Sequence, residues 1–116
     1  MIKRGDIILI KFPFTDLTAV KVRPALVVSS DKYNNASNDA IFMLITPKIT
    51  NAFMEDLLVD TTHPEFSATG LKQPSLFKVD RIVVLSKAIA TRKLGVAGSQ
   101  ITSEISLRLK RVLGIP

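Results

Sequence analysis

Apolar residues come in short runs, separated by stretches rich in Asn, Pro, Gly and charged residues. Ile7-Ile8-Leu9-Ile10-Lys11-Phe12 is apolar at nearly every position, the pattern of a strand buried on both faces. Gly5-Asp6 opens it, and Pro13, which has no N–H to offer a neighbouring strand, limits it. Thr15 to Val22 reads as a polar connection. Arg23-Pro24 then leads into the β-branched run Ala25 to Ser29. Asp31 to Asp39, with Asn34, Asn35, Ser37 and Asn38, reads as a turn-rich loop. Ala40 to Thr46 is a third strand, stopped by Pro47. A short strand is expected around Leu57-Leu58-Val59, a loop from Thr61 to Gly70, and a long strand from Ser75 to Leu85. Ser86 to Gly98 reads as irregular, with one helical turn closed by Gly95.

The period changes from two to 3.6 only near the end. Ile105, Leu109, Val112 and Leu113 form one stripe of a helix from Thr102 to Leu113. Thr102 or Ser103 is its expected cap, and Glu104 suits the first turn. Lys110, Arg111 and Gly114 suit its end. Glu104 and Arg108 are spaced to pair, while Arg108 and Arg111 present a basic face expected to be solvated. Five short strands and one amphipathic helix predict a mainly β domain, a strongly bent antiparallel sheet or small barrel with the helix packed against it. No repeat, linker or low-complexity stretch divides residues 1–116, so a single domain is expected.

Composition narrows the chemistry. There is no Cys and one His, His63, which rules out disulfides and zinc sites built on those residues and fits a reducing cytoplasm. No apolar run approaches the roughly 18 residues of a membrane span, and nothing after Phe14 resembles a cleavage site for a secretory signal. The formal charge is +6, from 16 basic and 10 acidic residues. The signs are segregated. Glu55, Asp56, Asp60 and Glu65 have no Lys or Arg among them, whereas Lys72 to Lys93 holds six basic residues against Asp80 alone. Such a bias fits a polyanionic partner, and equally a solvated basic surface.

The order of sequence words is more specific. Gly5-Asp6, a strand, a loop, Arg23-Pro24, a strand ending in Ser29, and a strand ending in Ile45-Thr46 resemble the N-terminal half of the PemK/MazF toxins. The Ser75 strand and Leu94-Gly95 ahead of a C-terminal helix continue the resemblance, which spans Gly5 to Leu113. It implies an SH3-like barrel of about five to seven short antiparallel strands with a terminal helix, in a cytoplasmic homodimer. It also implies cleavage of single-stranded RNA without metal or other cofactor, an acidic antitoxin over the basic groove, and operator DNA bound only together with that antitoxin.

RNA can be cut by its own 2′-hydroxyl if cationic donors stabilise the phosphorane that forms. Arg23 is the first candidate catalytic residue. Its guanidinium offers a fork to two phosphate oxygens, and Pro24 biases its backbone to extended geometry. The plainer alternative is a surface ion pair. Thr46 is the second, because the family places a Thr opposite the Arg; it also reads as an ordinary strand residue. Lys21, Ser75, Arg81 and Asp16 are candidate substrate-binding residues. Lys21 serves as a phosphate ligand or a solvated lysine, and Ser75 and Arg81 as groove residues or a strand cap and a phosphate ligand. Many relatives carry a Gly-Ser-Glu-type segment before Arg-Pro. Here that stretch is Thr15 to Lys21 with Asp16 as its one carboxylate, which leaves the general base open. His63 matches no family motif, and Tyr33 reads more readily as a packing residue than as a base-stacking one.

A non-catalytic binder on the same fold is the competing reading, either a gyrase poison like CcdB or a DNA-binding autoregulator. The CcdB-type C-terminal Trp-Gly-Ile is absent, since the chain ends Leu113-Gly114-Ile115-Pro116 and contains no Trp.

Overall fold

A computed structural model describes residues 1–12 and 21–116. Six strands form one antiparallel sheet: β1 (Asp6–Phe12), β2 (Lys21–Val27), β3 (Asp39–Thr46), β4 (Leu57–Val59), β5 (Ser75–Ser86) and β6 (Ala90–Val96), in the order β4-β5-β3-β2-β1-β6. Among the described residues two short helices lie between strands, α1 (Asp31–Ala36) and α2 (Phe66–Thr69), and the longer α3 (Ser99–Leu113) follows β6. The expected small β-barrel architecture with a terminal helix holds. No helix among the described residues is long and apolar enough to cross a membrane.

The unbroken apolar run of β1 has the cause expected of it, since both faces of the sheet carry a core. On one face Ile7, Leu26, Met43, Ile45 and Phe77 pack beneath Ile101 and Ile105 of α3. On the other, Ile8, Ile10, Ala25, Val27 and Phe42 pack with Val83 and Leu85. Phe77 and Val83 serve opposite faces because β5 slips out of register. Met43 pairs with Ile82 but Ile45 with Phe77, so Lys78 to Arg81 stand opposite Leu44 alone. A bulge of this kind re-aims side chains and bends the strand. At the start of β1, Gly5 adopts φ +93, which turns the chain so that its N–H reaches the Val27 carbonyl.

Several expectations are corrected. Strand β2 begins at Lys21, inside the stretch read as a connection, because Lys21 and Val22 pair with Phe12 and Lys11 of β1, and it ends at Val27 rather than Ser29. The stretch Asp31 to Asp39 is not a loop throughout. Ser30 Oγ accepts the Tyr33 N–H at 3.1 Å and starts α1. The loop expected from Thr61 to Gly70 contains the single turn α2. The stretch Ser86 to Gly98 is a 3-10 turn (Lys87–Ile89) followed by β6, which completes the sheet beside β1. Gly95 closes no helical turn there. A side chain at Gly95 would lie 2.2 Å from the Ala68 carbonyl oxygen, so its absence lets α2 lie against β6. Finally, α3 begins at Ser99, and Ile101 heads its apolar stripe, while Val112 and Leu113 at the far end are exposed.

The earlier start of α3 has a remote cause. Gly98 offers no side-chain cap, and the Glu65 carboxylate caps the helix instead, accepting the N–H groups of Gln100 and Ile101 at 2.9 Å each. A carboxylate there satisfies two unpaired donors and faces the positive end of the helix dipole. The basic face of α3 is also not free in solvent. Arg108 pairs with Glu104 at 2.9 Å and donates to the backbone carbonyls of Glu55 and Asp56 at 3.1 and 2.8 Å. Arg111 grips Glu55 through two hydrogen bonds of 2.9 Å, which hold the Glu55 carboxyl below its ordinary value.

Glu65→Ala is expected to lower the unfolding free energy by about 1–2 kcal/mol, the scale of a lost cap. Urea unfolding checks it, and an unchanged midpoint would show that water caps the helix equally well.

Candidate functional site

Strands β2 and β3 pair only from Ala25↔Leu44 onward, whereas β2 continues beside β1 through Arg23 to Lys21. The ladder to β3 stops next to Pro24, which has no N–H to give. Beyond that point the two strands border a cleft of about 330 Å³. Arg23, Lys21 and Phe12 line one side. Leu44, Ile45 and Thr46 line another, with Lys78 and Arg81 from the β5 bulge. Carrying the β2–β3 register past Ala25 sets Arg23 opposite Thr46.

Four of the six candidates named from the sequence therefore share one cleft: Arg23, Thr46, Lys21 and Arg81. Lys21, Arg23 and Arg81 are exposed and form no ion pair with any described residue. Thr46 Oγ1 accepts the Lys48 N–H at 3.1 Å, which fixes its oxygen and leaves its proton to donate. No carboxylate or imidazole appears in the described lining. The groups on hand are guanidinium, ammonium and hydroxyl, a set suited to holding a phosphate and to stabilising negative charge that develops on it.

Ser75 does not join them. It is buried at the start of β5, its Oγ donates to the Gln73 carbonyl at 3.0 Å, and it lines a second cleft of about 300 Å³. Arg23 lines both clefts. Asp16 lies outside the described residues. His63 Nδ1 accepts the Glu65 N–H at 3.0 Å within its own turn, and Tyr33 sits on α1; neither lines either cleft.

Lys78 is the cleft residue not anticipated from the sequence. Its Nζ donates to Asp56 Oδ2, which also accepts the Phe53 N–H at 2.8 Å. The Asp56 side chain is wholly buried, and its Oδ1 has no hydrogen-bond partner among the described residues. Lys78 thus enters the cleft already neutralised, tied through Asp56 to the loop that Arg108 anchors on α3. The available signal was the charged triplet Lys78, Asp80 and Arg81 inside an otherwise apolar strand, a mark of a bulge rather than of a regular edge. No three acidic or His side chains among the described residues converge as a metal site.

The burial asymmetry of this pair gives a prediction. Lys78→Met strands a buried carboxylate and is expected to cost about 3–5 kcal/mol. Asp56→Asn leaves a lysine that can reach water and is expected to cost less. Urea unfolding of both variants checks the order, and the reverse order would contradict the role given to Asp56.

The profile of the PemK-like, MazF-like toxins of type II toxin-antitoxin systems matches residues 3–113. No curated protein sequence matches the chain significantly. Among solved structures, a mycobacterial endoribonuclease in complex with its cognate antitoxin superposes with a TM-score of 0.76 at 21% identity, covering 100% of this chain and 98% of the other. The Mycobacterium tuberculosis toxin MazF-mt6 gives 0.76 at 15% identity, over 96% of this chain and 98% of its own. The MazE-MazF complex of Deinococcus radiodurans gives 0.74 at 18% identity, over 98% and 96%. At such identities the likeness is one of fold.

Proposed function

This chain belongs to the PemK-like, MazF-like family of type II toxins, and from that premise we propose that it is an endoribonuclease that cuts single-stranded RNA. The observation that carries the reading is the convergence of Arg23 and Thr46 on one cleft, with the Arg23 guanidinium unpaired with any described residue.

In this mechanism the substrate's 2′-oxygen attacks the adjacent phosphorus, and the bond from phosphorus to the 5′-oxygen breaks. The products are a 2′,3′-cyclic phosphate and a 5′-hydroxyl. No metal is required. The Arg23 fork holds two non-bridging oxygens and strengthens its grip as they gain charge. The Thr46 hydroxyl donates to one of them. Lys21 and Arg81 hold the strand through its phosphates. The 2′-hydroxyl gives up its proton to a base, and the leaving 5′-oxygen takes one up; the described lining offers no carboxylate or imidazole for either transfer, so the base stays unassigned. Lys78, neutralised by Asp56, shapes the wall more than it adds charge.

The same uncompensated cations suit an acidic antitoxin, by complementary potential over the cleft. The fold relatives include complexes with an antitoxin. We read residues 1–116 as a single toxin domain that acts in the cytoplasm as a homodimer.

Arg23→Ala and Thr46→Val are each expected to slow cleavage of mixed single-stranded RNA in EDTA at least about tenfold, the scale of a lost transition-state donor. Both variants should keep the wild-type melting curve, because neither side chain is part of a core. Unchanged rates in both would remove these residues from the chemistry, and an inert wild type over many RNA sequences would favour the non-catalytic reading.

A further inference from the structure

The second cleft lies on the opposite side of Arg23. Alternation along β2 turns Lys21 toward the first cleft and Val22 and Pro24 toward the second, with Arg23 at the rim of both. The tip of β3 is divided in the same way, since Thr46 lines the first cleft and its neighbour Pro47 the second. The clefts therefore meet where the scissile phosphate is placed. Beyond this rim the second cleft carries Lys72 from the turn before β5 and Arg92 from β6, which stands across from Leu9. Both cations are exposed, and neither has an ion-pair partner among the described residues. The described lining holds no carboxylate; Leu9, Leu71 and Leu94 supply apolar surface, and Gln73 adds a side-chain amide.

We propose that this second cleft is a binding site for the nucleotide next to the scissile phosphate, its flanking phosphate held by Lys72 and Arg92. The inference rests on the ribonuclease reading for the position of the cut. A strand drawn across Arg23 and Thr46 leaves the first cleft over the rim they share with the second. There it meets two uncompensated cations and an aliphatic wall. Such a groove tracks the backbone of a single strand by charge. Because the wall is aliphatic and proline rather than aromatic, the base is accommodated by apolar contact, and the site contributes affinity more than sequence choice.

The test uses the full chain and a mixed-sequence 2′-O-methyl single strand, which lacks the attacking hydroxyl and stays intact. Binding is measured against salt for the wild type and for the double variant Lys72→Gln/Arg92→Gln. Two lost phosphate contacts should reduce the slope of log K against log salt by about 1.4, at about 0.7 per contact on a single strand, with a loss of affinity. Lys72→Gln alone should give about half that change. Cleavage of unmodified RNA by the wild type is followed in parallel. An unchanged slope beside normal cleavage overturns the second site and leaves the ribonuclease reading intact. A reduced slope beside a wild type that cuts nothing supports the second site and removes the ribonuclease reading. A double variant that binds RNA as the wild type does, but loses affinity for a Glu-rich peptide, overturns the assignment to RNA and gives the cleft to an acidic protein segment.

Discussion

Every carboxylate between Glu55 and Glu65 is engaged by the protein's own scaffold, and the chemistry of the cleft depends on that engagement. Glu55 is held by Arg111, Asp56 by Lys78, Asp60 by Thr62, and Glu65 by the first turn of α3. Of this acidic segment only Asp56 offsets a cation of the basic stretch after it, Lys78, while Glu55 and Glu65 are held by α3 and Asp60 by its own turn. Five of the cations without an ion-pair partner among the described residues, Lys21, Arg23 and Arg81 in one cleft and Lys72 and Arg92 in the other, gather around one rim. Cations clustered this way, with the nearby carboxylates held elsewhere, favour an anion at the rim.

The rim itself results from two departures from regular β structure. Pro24 ends the ladder between β2 and β3 early, and the bulge in β5 sets four residues against Leu44. A regular sheet would have filled this region with paired backbone and alternating side chains. Here the backbone diverges, and Lys78 and Arg81 enter the space. The rigid part of the site is the strand geometry around Arg23 and Thr46, built over the buried Ile10 and Ala25. This is the support a transition-state donor needs, because a guanidinium stabilises developing charge well only if it does not have to move to do so.

Much of this was legible in the sequence, and the rest was not for identifiable reasons. The strands β1, β2, β3 and β5 declare themselves by apolar runs, and α3 by its period. Strand β6 does not, because most of its residues are exposed and its pairing partner lies at the other end of the chain. The start of α3 is hidden because its cap comes from a residue 35 positions away from Gln100. In the site, Arg23, Thr46, Lys21 and Arg81, each singled out from the sequence, line one cleft. Ser75 falls in the neighbouring cleft, because its hydroxyl is turned back onto Gln73. Lys78 could not be placed, since its position depends on a bulge and its charge on a buried partner 22 residues earlier.

In the mechanism we propose, the cleft stabilises a phosphate attacked by the substrate's own ribose hydroxyl. That mechanism is tested most directly by giving the wild-type protein, in excess EDTA, one single strand as all-RNA and the same strand with 2′-deoxyribose at the mapped cleavage position. The first is expected to be cut to a 2′,3′-cyclic phosphate and a 5′-hydroxyl, and the second to stay intact at that position. Cleavage of the deoxy-substituted bond at a comparable rate would contradict it, because the nucleophile would then have to come from the protein or from water.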